Sequence, residues 1–267
     1  MSTQKKYPTD LSENQWPLIH RLLPRPKWQP GGPGCPPCDL RSVVNGILYV
    51  TKTGCQWRML PKEFGCWQTV YGYFNRWSRQ GAWQQVLDQL TKQERQRQGR
   101  KATPSAGCVD SQSIKTATQG KTKGYDGNKK INGRKRHLVV DTLGLIIGVL
   151  VTAADCGDRD GLIGLLKAYF PTGVKRLRKL WVDGGYAGEE LKAWVRSLKK
   201  THKIDLEVVK REGTGFQLVK RRWVVERTFA WLLNYRRLSK DYEVLTRNSE
   251  AMIQIAMIHL LLKRLVA

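Results

Sequence analysis

After residue 104 the hydrophobic pattern changes period, and that change limits the folds open to the chain. "AGCVD", "RHLVVDTLG", "LIIGVLVTA", "KLWVDG" and "DLEVVK" are short β-branched runs bounded by Gly, Asp or Lys, as buried strands are. Helical stretches lie between and after them, over Arg159 to Phe170, Glu189 to Lys199, Phe216 to Leu238 and Glu250 to Leu265. Three early strands, the second and third joined at "DTLG", then alternation of helix and strand, predict an α/β unit built on a mixed sheet.

The preceding residues carry a helical period instead. Ser12 opens a helix toward Leu23 that Pro17 must kink or delay, and "PRPKWQPGGPGCPPC" is too rich in Pro and Gly to be regular. Asp39 is placed to cap "LRSVVNGILYVTKTG", whose Val43, Ile47 and Val50 share a face and whose Gly54 is a C-terminal stop. In "CWQTVYGYFNRWSRQGAWQQVLDQL" the stripe Trp67, Tyr71, Phe74 and Trp77 reads mainly as core. Helix, turn, then a helix bearing Gln68, Thr69, Tyr73, Asn75 and Arg76 has the outline of a helix-turn-helix, whose second helix would enter a major groove. "TKQERQRQGRKATPS", nearly devoid of apolar residues, reads as a boundary. The expected division is a helical DNA-binding domain over 1–95, a linker over 96–104 and the α/β domain over 105–267.

Forty-seven Lys plus Arg against 22 Asp plus Glu leave a formal charge of +25. That excess stores self-repulsion which DNA or RNA relieves. No apolar run approaches the roughly 18 residues of a membrane span and no secretory signal opens the chain, so a soluble, cytoplasmic protein without membrane contact is expected. The six cysteines are too scattered for a disulfide scaffold, and the Cys35/Cys38 pair lacks well-spaced companions, because Cys55 and Cys66 stand too far apart for a zinc knuckle. The stretch from Lys115 to Arg136 reads as a basic, glycine-rich loop that tracks DNA, offering Lys115, Lys129, Lys130, Arg134, Lys135 and Arg136, with His137 beyond it.

Asp110 and Asp183 close two of the strand runs, where α/β sheets gather functional groups. Glu226 sits on a helix apolar around most of its circumference, so it is expected to be buried and to need a partner. Arg222, four residues back, offers an ion pair; alternatively the three acids converge on divalent metal, two Mg²⁺ ions for which Mn²⁺ can substitute. Asp155, Asp158 and Asp160 are explained by helix capping and dipole stabilisation, and His202 and His259 read as structural.

"VDSQSIK", "NGRKRHLVVDTLG", "WVDGGYAG" and "RRWVVERTFAWLLNYRRLSKDYE" resemble, in order, signature segments of bacterial insertion-sequence DDE transposases of the insertion-sequence-five group. "LSENQWPLIHRLLP", "RSVVNGILYVTKTGCQWRMLP" and "WQTVYGYFNRW" are similar to the helical domain that precedes the core in that group. The resemblance implies an RNase-H-like core, a mixed sheet flanked by helices, behind a small all-α domain. It makes Asp110, Asp183 and Glu226 the catalytic acids, with Asp110 touching both metals and each of the others holding one. It gives Arg222 a DNA phosphate. The tyrosine and second basic residue of the broader pattern fall on Val219 and Leu233, which leaves their roles unfilled or passed to Arg227, Arg236 or Arg237. The implied activity is binding of terminal inverted repeats, hydrolysis, and strand transfer to target DNA by a homodimer or larger assembly. An RNase-H-like nuclease without strand transfer and a non-enzymatic DNA-binding regulator are the alternatives.

Overall fold

The computed structural model describes residues 6–25, 38–117, 122–169, 176–198, 203–209 and 222–267. Helix α1 (Trp16–His20) starts late and places Pro17 in its first turn, where a missing N–H leaves no intrahelical bond unmade. Helix α2 (Leu40–Thr53) is closed at both ends as its sequence predicts: the Asp39 carboxylate accepts the Arg41 and Ser42 amides, and Gly54 ends it at φ 73°. Helices α3 (Trp67–Arg79) and α4 (Ala82–Arg97) are separated at Gly81, φ 67°. The polar run read as a boundary is helical through Arg97. Glu94 and Arg95 are buried there, and Arg95 pairs with the buried Asp141.

Six strands form one mixed sheet: β1 (Ala106–Lys115), β2 (Gly124–Asp126), β3 (Ile131–Asp141), β4 (Ile146–Ala153), β5 (Lys179–Val182) and β6 (Asp205–Val208). β3 lies antiparallel to β1 on one side and to β2 and β4 on the other; β5 is parallel to both β1 and β6. Two strands are longer than their apolar cores. β1 continues five residues past Asp110, so that acid is mid-strand rather than terminal, and β3 begins at Ile131. Much of the expected basic loop is therefore sheet, because pairing with β1 carries polar residues into the ladder that their own pattern would not place there.

The two sheet faces bury different partners. Val109, Val139, Leu180 and Val182 pack with α5 (Asp158–Tyr169) and α6 (Glu189–Ser197). Cys108, Leu138, Val140 and Trp181 belong to the opposite core, with α7 (Trp223–Leu233) and α8 (Thr246–Leu265). That core also contains Phe74, Trp77, Trp83, Leu87 and Leu90, so the N-terminal helices and the sheet share one apolar interior. Helix α8 is apolar almost all round because it lies between α4 and β4. Among the described residues no helix is long and apolar enough to cross a membrane.

Candidate active site

Strand register aligns the first two acids. Parallel pairing sets Cys108 opposite Trp181, and two residues further along each strand come Asp110 and Asp183, on the face covered by α7. Asp183 lies just beyond β5, where its carboxylate accepts the Gly185 amide at 2.9 Å and begins a tight turn over Gly184–Tyr186.

Helix α7 brings the third acid. It is seated on the β3–β4 turn, where the Thr228 hydroxyl donates to the Gly144 carbonyl at 2.8 Å and Arg227 donates to the Leu143 carbonyl at 3.0 Å. Gly144 has φ 81°, and a side chain there would collide with Thr228 and Trp231, so this seat requires glycine. The buried stripe of α7 is Val224, Val225, Thr228, Phe229 and Leu232. Glu226 lies off that stripe with its side chain 56% exposed, which corrects the expectation of a buried carboxylate. Counting Trp223, Trp231 and Leu233 as interior made the helix look apolar all round; Leu233 is exposed and the two tryptophans are only partly covered.

One cation joins the three acids. Arg222 Nη2 stands 3.8 Å from Asp110 Oδ2, 3.8 Å from Asp183 Oδ2 and 3.9 Å from Glu226 Oε1. Its side chain is 7% exposed, beside Asp110 at 20% and Asp183 at 37%, so the centre opens toward Glu226. These separations exceed hydrogen-bond length, so the guanidinium balances charge without fixing any carboxylate. Burial pushes the Asp110 carboxyl up to about 6. The Ser111 amide and Arg222 oppose that shift, and the Asp183 charge adds to it.

Around Asp110 lies a polar ring that sequence reasoning underrated. The Ser111 hydroxyl donates to Asp158 Oδ1 at 2.7 Å, and Lys135 Nζ is 3.3 Å from the same oxygen. Asp158 does open α5, as its dipole role requires, but it also borders the centre. Tyr186 is buried beside Asp158, Asp110 and Asp183, and burial first, then those charges, raises its phenol well above the ordinary value. The "DGGY" spacing after a strand was the available signal for Tyr186; nothing local marked Ser111.

The expected DNA contacts separate into two groups. Lys115, Lys129, Lys130, Gln68 and Arg76 are exposed, and Lys129 Nζ donates to the Ser111 carbonyl at 3.4 Å, beside Asp110. Arg134, Lys135, Arg136 and His137 are buried, and their expected DNA contact is corrected by their internal partners. Arg134 pairs with Asp241 at 3.2 Å and donates to the Glu243 and Val244 carbonyls and to Ser249. Arg136 donates to the Leu238 carbonyl at 2.9 Å. Lys135 donates to the Cys156 carbonyl at 2.8 Å on the opposite face. His137 Nε2 is 3.0 Å from Thr152 Oγ1, and burial holds its pKa down at about 4. Arg222 points inward to the acids, and Arg227 lies between the rings of Trp223 and Trp231. Val219, Cys35, His202 and the expected helical residues 216–221 lie outside the described residues.

Among the described residues no three His, Cys, Asp or Glu side chains already form a metal-holding cluster. The donor set nevertheless fits a hard divalent cation: three carboxylates, oxygen only, directed at one point of positive charge.

Comparison with known proteins identifies the family. The transposase DDE domain family matches residues 101–261, and the family described as a putative transposase of the IS4/5 family matches residues 11–87. An insertion element IS402 uncharacterized 16.2 kDa protein of Burkholderia cepacia is 34% identical over 117 residues, covering 43% of this chain and 78% of its own length. The putative transposase for insertion sequence element IS402 from the same organism is 33% identical over 117 residues, covering 42% of this chain and 54% of that relative, about half its length. No solved structure matches. With one family matching more than half of the chain and another the helical segment before it, the chain belongs to the insertion-sequence DDE transposases of the IS4/5 type.

Proposed function

We propose that this chain is a DNA transposase whose catalytic centre is Asp110, Asp183 and Glu226. The observation that carries the reading is the convergence of one oxygen from each acid on the Arg222 guanidinium. Carboxylates from β1, the end of β5 and α7 are drawn to one point only if that point is built for positive charge. Asp110 and Asp183 would hold Mg²⁺, or Mn²⁺ in its place, with Glu226 completing the set from the open side; the chemistry supplied there would be Lewis acidity toward the scissile phosphodiester and a lowered pKa for the attacking water or 3′-hydroxyl.

The chain's own residues supply position and counter-charge. Lys129, whose ammonium reaches the Ser111 carbonyl beside Asp110, and the exposed Lys115 and Lys130 further along the same basic stretch neutralise backbone phosphate. On α3 the residues Gln68, Thr69, Gly72, Arg76 and Arg79 form one exposed face, while Val70, Tyr73, Phe74 and Trp77 are buried, so that face is the groove-reading surface for a terminal inverted repeat. Cutting and joining two ends requires at least two copies on DNA, with target DNA as the second substrate.

The test is incubation with labelled duplex carrying the element's terminal repeat, with Mg²⁺ or Mn²⁺, and separation of cleaved from joined strands. Cleavage with joined product, abolished by Asp183→Asn and by Glu226→Gln, is the expected result. Cleavage without joining identifies a nuclease, and binding without cleavage identifies a regulator. Intact cleavage in either variant rejects the triad.

A further inference from the structure

A second basic site lies around the side of α7, away from the carboxylates. Trp223, Arg227 and Trp231 follow one another at four-residue intervals on one face of the helix. The Arg227 guanidinium carbon lies 4.3 Å from the centroid of Trp223 and 4.7 Å from that of Trp231; Arg264, from the end of α8, covers Trp231 at 4.3 Å. Arg97, from the end of α4, completes an open cleft of about 310 Å³ with Glu94 and Leu143.

Internal partners leave this cluster short of negative charge. Glu94 is the only acid lining the cleft among the described residues, and it is committed to Arg97 at 2.8 Å and to Gln98 at 3.1 Å. Arg227 Nε is buried without a hydrogen-bond partner, and the Arg264 side chain makes no hydrogen bond among the described residues. Burial lowers the Arg264 pKa; Glu94 and, less strongly, Asp141 behind the cleft oppose that shift, and Arg227 and Arg97 add to it by repulsion. Three guanidinium groups converge from three helices; Glu94 holds the Nε and Nη2 of Arg97 at 2.8 and 3.2 Å, which leaves the Arg97 Nη1 with the groups of Arg227 and Arg264 as donors that suit phosphate oxygens.

We propose that Arg97, Arg227 and Arg264 form a phosphate-binding cleft that holds the backbone of the DNA flanking the scissile bond. The inference rests on the proposed transposase reading and adds to it a contact remote from the acids. From Glu226 to Trp231 the helix advances about 7.5 Å, near two base-pair rises of about 3.4 Å, so a strand seated at the acids has neighbouring phosphates within reach of the cleft.

Affinity for a labelled duplex DNA, measured without divalent metal over a range of salt, tests it. Each phosphate contact contributes about 0.9 to the slope of log affinity against log salt. Arg97→Gln with Arg264→Gln is expected to reduce that slope by about one unit per arginine lost, while Arg97→Lys with Arg264→Lys retains most of it. Thermal melting reports the fold of each variant. Because Arg97→Gln takes the partner from the buried Glu94, Arg264→Gln alone, which breaks no ion pair among the described residues, serves as the second variant and is expected to lower the slope by about one unit with melting close to wild type. An unchanged slope in the glutamine pair, with wild type still binding, overturns the cleft and leaves the transposase reading standing. Wild-type protein that fails to bind duplex DNA at all overturns both.

Discussion

The guanidinium of Arg222 lies 3.8 Å from the carboxylate of Asp110, near enough to balance its charge and too far to hydrogen-bond it. Arg222 is thus a counter-ion held by attraction to three carboxylates rather than by geometry at any one of them. Removing it as Arg222→Gln leaves those acids uncompensated, with an expected loss of about 3 kcal/mol at neutral pH. Added Mg²⁺ is expected to recover part of that loss and to raise the melting temperature of the variant more than that of wild type. Equal Mg²⁺ shifts in the two proteins would remove the case for a shared position.

Glu250 provides a pH dependence well away from the acids. Its carboxylate accepts the Val151 amide at 2.9 Å, and desolvation pushes its pKa up to about 7. An acid whose folded pKa lies above its unfolded value stabilises the fold fully below the unfolded pKa, and that contribution is lost as pH rises through about 7. Glu250→Gln keeps an acceptor for Val151 and carries no charge. In urea unfolding it is expected to exceed wild type by about 1–3 kcal/mol near pH 8, the advantage shrinking toward zero near pH 4. A pH-independent difference would show that Glu250 is not the titrating group.

Gly133 tests the β1–β3 ladder that carries Asp110. A Cβ at this position would meet the Ile114 carbonyl oxygen at 2.0 Å, and backbone cannot swing aside as a flexible side chain can. Gly133→Ala is therefore expected to cost about 3 kcal/mol. Gly127→Ala, with open space around the new methyl, is expected to be nearly neutral. Comparable melting temperatures for the two variants would contradict the strand register.

Basic residues from one stretch should behave in two ways. Lys130→Ala is expected to lower the salt slope of DNA binding by about one unit with little change in melting temperature. Arg134→Met leaves the buried Asp241 without its cation, and about 3–5 kcal/mol of stability is expected to go with it. Parallel salt titrations and melting curves read both effects. An altered slope in a folded Arg134→Met protein would return that arginine to the DNA surface.

What the sequence made legible was what short-range chemistry determines. The Asp39 cap, the Gly54 stop and the delayed start at Pro17 each depend on a few neighbouring residues, and each appears as read. The meeting of Asp110, Asp183 and Glu226 near Arg222 was readable chiefly from the family resemblance; the strand-end argument holds for Asp183 but not for Asp110, whose strand runs on five residues. Burial of Arg134, Arg136 and His137 was not, since their run has the composition of a solvated loop and only pairing with β1 and cover from the Leu238–Val244 segment and α5 make it interior. The exposure of Glu226 depends on how α7 is rolled against the β3–β4 turn, which no helical wheel contains. Asp158 beside Ser111 and Arg264 beside Arg227 are pairings between distant elements, invisible to any local pattern.

The parallel alignment of Cys108 with Trp181 makes the backbone a ruler for the two aspartates. Neighbouring strands stand about 4.8 Å apart whatever side chains they carry, so the distance between the sites bearing Asp110 and Asp183 is set by main-chain hydrogen bonds. Such a ruler is rigid but can be misread: a slip of one residue would turn Asp110 to the face of α5 and α6 and leave Asp183 where it is. Substitutions far from any carboxylate can therefore part these acids by shifting one strand past another, and the apolar packing of Val109 and Cys108 on opposite faces guards their spacing as well as the stability of the sheet.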